Sequence, residues 1–173
     1  MVTAGQDRPG LIQVTPEVRL QRFDPLRMFD GRLQALLPCY QDHETLRMVD
    51  GPNAEPYDLA KLNAMFQYMS EHGELYLIER LTADGRWILI GDACLQTAAI
   101  PIVLAPEHRG HGIGRSVIEA LIERARELGW SAVEVSEIYD DNVASRRLFE
   151  SLGFVAVGGT ELGHRYRLVW VDR

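Results

Sequence analysis

The chain has 173 residues, 46% of them hydrophobic, with 18 Lys and Arg against 25 Asp and Glu for a formal net charge of −7. That length and apolar content suit one domain, 1–173, with its own core, because a chain of this size buries roughly 70% of its unfolded surface. The acidic balance argues against a nucleic-acid protein, whose phosphate contacts need a basic face, so no nucleic-acid partner is expected and a neutral or cationic substrate is favoured.

Residues 1–12 read as a flexible leader, polar and small, without the apolar core of a signal peptide. VRLQRF, residues 18–23, alternates and suits a first strand. PLRMFDGRLQALLPCYQDHETLRMVDG reads as broken helix with turns at Asp30-Gly31 and Gly51-Pro52. Tyr57-Asp58 opens a better helix, in which Leu59, Leu62, Met65, Phe66 and Met69 recur at three- and four-residue spacing as far as Gly73. ELYLIERL, RWILIGDACLQT and AAIPIVLAP are strand-like, the first two joined at Asp84-Gly85, and predict an antiparallel meander.

Across residues 115–128 the apolar positions Val117, Ile118, Leu121, Ile122, Ala125 and Leu128 share one helical face, with Gly129 as the stop. SAVEVSEI follows as a strand. With IPIVLAP and the intervening helix it makes a β-α-β unit, whose two strands are expected to be parallel with a right-handed crossover. Residues 143–152 form a further helix capped by Asn142, and FVAVGG with HRYRLVWV closes the chain as a hairpin-like pair. The expected fold class is α/β of the α+β type, a mixed sheet with helices on both faces.

WILIG and AAIPIVLA fall far short of the about 20 residues that span a bilayer. A cytoplasmic, soluble protein with no membrane partner is therefore expected. Cys39 and Cys94 form no C-x-x-C, and the five histidines show no paired ligand spacing, so neither a disulfide nor a metal site is expected.

The stretch APEHRGHGIGRSV, residues 105–117, carries Gly110, Gly112 and Gly114 between Arg109 and Arg115. Glycines allow close approach and positive φ, so successive N–H groups can turn into one concavity. The loop leads into a helix N-terminus, where unpaired N–H groups and the helix dipole favour an anion. A phosphate or pyrophosphate is the natural guest. A dinucleotide loop would need glycine where Arg115 stands, and a P-loop would need glycine at Arg115 and lysine at Ser116, so both fail.

R-G-H-G-I-G resembles the [RQ]-x-x-G-x-[GA] pyrophosphate loop of the GNAT superfamily of acyl-CoA-dependent N-acyltransferases. VLAPEHRGHGIGRSVIEALIERARELG resembles that family's first motif, and NVASRRLFESLGF its second. Roughly residues 75–170 fit the pattern, and 24–74 stand where the fold places variable substrate-side helices. The resemblance implies a centrally splayed sheet of about seven strands, acetyl-CoA as co-substrate, and transfer of an acetyl group to a primary amine by direct attack on the thioester. The acceptor class is a small cationic molecule, an amino acid or a peptide amine, and a homodimer is compatible with it.

The same resemblance places the CoA pyrophosphate on the backbone of Arg109, Gly110, His111, Gly112, Ile113 and Gly114, with Arg109 or Arg115 pairing a phosphate. It implies a bulge in Ile102-Val103-Leu104, where pantetheine bonds the backbone of Val103 and Leu104, and makes the Leu104 N–H the group that polarises the thioester carbonyl. Asn142 and Ser145 are its pantetheine contacts, beside the Asn142 cap. Glu137 is the first candidate general base, since Val133, Val135 and Glu137 share one strand parity, and Asp92 the second. Glu55 and Asp58 add acidic character. Phe149 stands where the family usually has a tyrosine acid, and Tyr139 is the substitute. His111 is expected to act through its backbone, and Cys94 as a small strand residue. The alternative to an enzyme is a catalytically weak acyl-CoA-binding regulatory module, and more remotely a protein binding another nucleotide.

Overall fold

In the computed structural model, which describes residues 9–26 and 31–170, the period-two alternation of ELYLIERL is buried on both sides. Leu75 and Leu77 enter one apolar core, Tyr76 and Ile78 another. This strand, β3 (Glu74–Leu81), is the middle of a five-stranded antiparallel sheet ordered β1 (Leu11–Thr15), β2 (Val18–Arg22), β3, β4 (Trp87–Leu95) and β5 (Ile102–Leu104). A second antiparallel sheet sets β6 (Ala132–Tyr139) and β7 (Val155–Gly159) on either side of β8 (Gly163–Val169).

Helices cover both faces of this α+β arrangement. From α1 (Arg32–Leu36), α2 (His43–Asp50) and α3 (Leu59–His72), residues Leu36, Leu46, Leu62 and Phe66 join the core that holds Leu75 and Leu77. From α4 (Ile113–Glu127) and α5 (Val143–Ser151), residues Val117, Leu121 and Phe149 join the other, with Val133, Val135 and Ile138 of β6. The caps follow from the sequence: Asp58 accepts from Lys61 N–H at 2.8 Å, and Asn142 from Ser145 N–H at 3.1 Å.

Three expectations need correction. Part of the expected leader is structured, because Leu11 and Ile12 open β1 and pair with Gln21 and Leu20; residues 1–8 and Asp30 lie outside the described residues. The described residues form eight strands, in keeping with the expected sheet of about seven. The strands of the β-α-β unit do not pair: β5 bonds β4 and β6 bonds β8, so the sheet opens between β5 and β6 as the family resemblance implies. The expected bulge in β5 is absent from its regular register with β4 and lies in β4 itself, at the shift opposite Ile78 and Glu79.

A second bulge breaks the parity used to place Glu137. In β6 the register jumps between Val135, opposite Tyr166, and Ile138, opposite His164. Ile138 therefore continues the buried row of Val133 and Val135, and Glu137 falls out of it.

One buried ion pair ties β3 to α4. Arg124 grips Glu74 through two bonds of 2.9 Å, and Tyr76 donates to the same carboxylate at 2.7 Å. Burial opposes ionisation of Glu74, and the Arg124 and Tyr76 bonds with the Arg124 charge outweigh it, holding the carboxyl below its usual range. That stabilisation is present above the unfolded pKa and is lost as pH falls. Glu74→Gln, which removes the buried charge facing Arg124 and leaves Glu127 at 3.2 Å as an ion partner, is expected to lower unfolding free energy by about 1–3 kcal/mol in urea titration at neutral pH. A loss below about 1 kcal/mol would contradict this.

Candidate active site

The opening between β5 and β6 forms two adjoining spaces. The outer cleft, about 450 Å³, is lined from β5, the glycine loop, α2 and the start of α5. The inner cavity, about 200 Å³, runs between β5, β6 and α3. Met48, Val49, Ile102, Val103, Asn142 and Ser145 line both, so the two spaces adjoin, the loop bordering the outer one.

At the outer cleft Gly112 forms the N-cap of α4 with φ 78°, and no side chain caps the helix. The first N–H groups of a helix have no partner within it, so the N–H groups of the first turn are available at the cleft. A Cβ at Gly110 or Gly112 would meet nothing within 4 Å, which leaves a cradle open to a large guest. His111 is exposed, and Ile113 turns its side chain into the core. This geometry suits a pyrophosphate.

The two arginines are already engaged. Arg109 donates from Nε to the Leu104 carbonyl at 2.9 Å and from Nη2 to Thr45 Oγ1 at 2.6 Å, clamping the end of β5 to α2. Arg115 donates to Ser151 Oγ at 2.7 Å and pairs with Glu119 at 3.1 Å, although it still borders the cleft. The backbone cradle is therefore the part of this cleft best arranged for an anion.

Further in, β5 offers its free edge. Cys94 N–H donates to Pro101 at 3.0 Å and Ala105 N–H to Ile90 at 2.8 Å. In an antiparallel ladder the pairs alternate, so Val103 bonds towards β4 while Ile102 and Leu104 turn their N–H groups away from it. Gly91 permits this placement, since a Cβ there would stand 2.1 Å from the Val103 carbonyl oxygen. Asn142 is buried, with its side-chain oxygen committed to Ser145 N–H.

The inner cavity receives Glu137 from the bulge of β6. Glu137 is half-buried, and its carboxylate accepts from the Thr160 hydroxyl. Asp92 does not line either space. It is 1% exposed on the face of β4 towards α1–α3, and Tyr40 lies over it, donating to its two oxygens at 3.0 and 2.9 Å. Tyr40, which lines the inner cavity, is the site residue that sequence reasoning missed. Burial pushes the Asp92 carboxyl up to about 7, against the Tyr40 bond, and burial with the Asp92 charge pushes the Tyr40 phenol far up as well.

Other candidates lie elsewhere. Tyr139 lines neither space; its hydroxyl lies against Gly51, where a Cβ would be 3.4 Å away, and burial with Glu137 and Asp50 raises its pKa. Phe149 closes the cavity floor, packed edge to face on Phe154 at 5.1 Å. Asp58 serves as a helix cap and Glu55 is exposed, both away from the cavity lining. Burial pushes the Cys39 thiol up to about 11 and raises that of Cys94 too, so neither is an activated nucleophile. Among the described residues no cluster of His, Cys, Asp or Glu is placed to hold a metal ion, and no helix is long and apolar enough to cross a membrane.

Comparison with known proteins gives the same direction. The chain is 35% identical over 86 residues to the L-amino acid N-acyltransferase MnaT of Escherichia coli K12, covering 47% of this chain and 46% of that protein. It is 32% identical over 90 residues to the ribosomal protein bS18 alanine N-acetyltransferase of the same strain, covering 50% and 60%. The chain thus spans about half the length of the curated relatives it matches. The crystal structure of spermidine N-acetyltransferase from Vibrio cholerae, in complex with CoA and spermine, shares the fold with a TM-score of 0.68 at 19% identity, covering 90% of this chain and 96% of that one. The profile of the Acetyltransferase (GNAT) family matches residues 41–154, a stretch that includes β5, the glycine loop, Asn142 and Phe149, and the chain belongs to that family.

Proposed function

We propose that the chain is an acetyl-CoA-dependent N-acetyltransferase that moves the acetyl group to a primary amine. The observation that carries this is the meeting, at the opening between β5 and β6, of an uncapped helix N-terminus, the free edge of β5 and an adjoining cavity lined by a carboxylate. Each part answers one need of the reaction.

Bound acetyl-CoA supplies a thioester carbonyl open to attack by an amine. N–H groups of residues 110–115 hold the pyrophosphate, and the edge backbone of Ile102 and Leu104 with Asn142 and Ser145 aligns the pantetheine arm; Val103, whose backbone turns to β4, drops out of that role. The Leu104 N–H donates to the thioester oxygen as negative charge grows there, in a site partly closed to water. An alkyl amine with a pKa of about 10.4 arrives protonated, so its proton must be removed before nitrogen can attack. Glu137 takes it. As the C–N bond forms, the C–S bond breaks and the thiolate leaves. A thiolate is stable enough to depart without a dedicated acid, which fits Phe149 at the floor.

Glu137→Gln is expected to lower kcat about 100-fold, within the range of general-base contributions, while acetyl-CoA affinity stays unchanged. An unaltered kcat would remove Glu137 from this role. Phe149, with no hydroxyl to offer, favours one second reading, a module that binds acyl-CoA without turning it over. Thiol release from acetyl-CoA across a panel of amines separates the two: amine-dependent release supports the enzyme, and tight binding with no release on any amine supports the module.

A further inference from the structure

The inner cavity is apolar and rich in thioethers, with Met48, Met65, Met69, Ile100 and Phe149 in its wall. Glu137 is its one charged lining residue among the described residues, and no Lys, Arg or His lines it. Behind Tyr40 lies a further acid, Asp92. Because Tyr40 gives its O–H to Asp92, its oxygen is left as an acceptor only. Serines and the Asn142 amide complete the polar lining, Asn142 and Ser145 at the end shared with the outer cleft.

We infer that the acceptor is a primary amine on an apolar, otherwise uncharged body, and that amines carrying a carboxylate are disfavoured. The inference rests on the acetyltransferase reading and narrows its substrate class. The ammonium donates to Glu137 and to the Tyr40 oxygen, and its hydrocarbon body packs on methionines, whose unbranched chains adapt to shape. A free amino acid brings a carboxylate beside Glu137 to a wall without a cation, and a buried unpaired charge is strongly disfavoured. A polyamine sets its further ammonium groups against hydrocarbon, with one lining carboxylate to serve them all.

Matched pairs that differ only in the carboxylate test this directly: phenethylamine against L-phenylalanine, and isoamylamine against L-leucine, with spermidine as the polyamine. Thiol release from acetyl-CoA is followed with the full chain. In both pairs kcat/KM is expected to favour the amine without carboxylate by at least about 100-fold, and spermidine to fall below both such amines. An amino acid or spermidine used as well or better overturns the inference and leaves the acetyltransferase reading standing. Binding of acetyl-CoA with no release on any of these amines overturns both. Met65→Arg places a cation at a half-buried wall position and is expected to narrow the phenylalanine pair ratio at least about tenfold; an unchanged ratio counts against the inference.

Discussion

Replacing Gly112 by Asp is expected to weaken CoA binding at least about 100-fold in calorimetric titration, equivalent to about 2.7 kcal/mol. Two effects add. Gly112 sits at φ 78°, where an L residue costs about 1–2 kcal/mol, and the new carboxylate stands beside the N–H groups that are to hold a pyrophosphate. Space is not the issue, since a Cβ there meets nothing within 4 Å. Gly112→Ala separates the two, because it keeps the backbone penalty and omits the charge; its loss of affinity is expected to be at least about tenfold smaller. Unchanged CoA affinity in a folded Gly112→Asp variant would contradict the placement of the anion site.

Asp92→Asn is expected to flatten the fall of stability with rising pH. Burial carries the Asp92 carboxyl from 3.8 up to about 7, the Tyr40 bond offsetting only part of the shift. Between those values the folded chain keeps a proton that the unfolded chain has released, so stability falls as pH rises through the window. The total is about 4 kcal/mol, from about 1.36 kcal/mol for each pH unit of the shift. Asparagine cannot ionise and can still accept from Tyr40. The urea midpoint of the variant should therefore rise relative to the unmodified chain across the window, then hold a constant lead at higher pH. Parallel pH profiles for the two proteins would show that Asp92 does not carry this strain.

Much of the architecture is legible because local and tertiary preferences agree in it. Asp58 and Asn142 cap the helices they precede, and the apolar stripe from Val117 to Ala125 is the buried face of α4. The glycine loop was readable for the same reason, as its three glycines and the following helix serve one backbone geometry. What escaped depends on pairing across the chain. Leu11 and Ile12 look like a leader until β2 is beside them, because an edge strand this short carries little pattern of its own. The bulge of β6 displaced Glu137 from the row of Val133 and Val135, and period-two reasoning cannot register one extra residue. Tyr40 meets Asp92 across 52 residues, from a helical turn in LLPCYQD that carries no motif. The Leu104 N–H is a backbone group, invisible to side-chain reading, and its outward turn follows only from the register with β4.

The larger groove, about 880 Å³ beside β1 and α4, shares Arg115 with the cleft and is bordered by Glu119, Glu123 and Glu127. Each of those carboxylates is paired with an arginine of the same groove, Arg115, Arg126 and Arg124 in turn, so its charges are matched within it and size alone does not mark the cofactor site. A crystal structure of the chain with acetyl-CoA decides between the two most directly. The expected result is the pyrophosphate within hydrogen-bonding distance of N–H groups at residues 112–115, with the thioester at the Leu104 N–H and its acyl carbon facing the cavity that holds Glu137. A pyrophosphate seated in the groove beside β1, or a thioester away from the β5 edge, would contradict it.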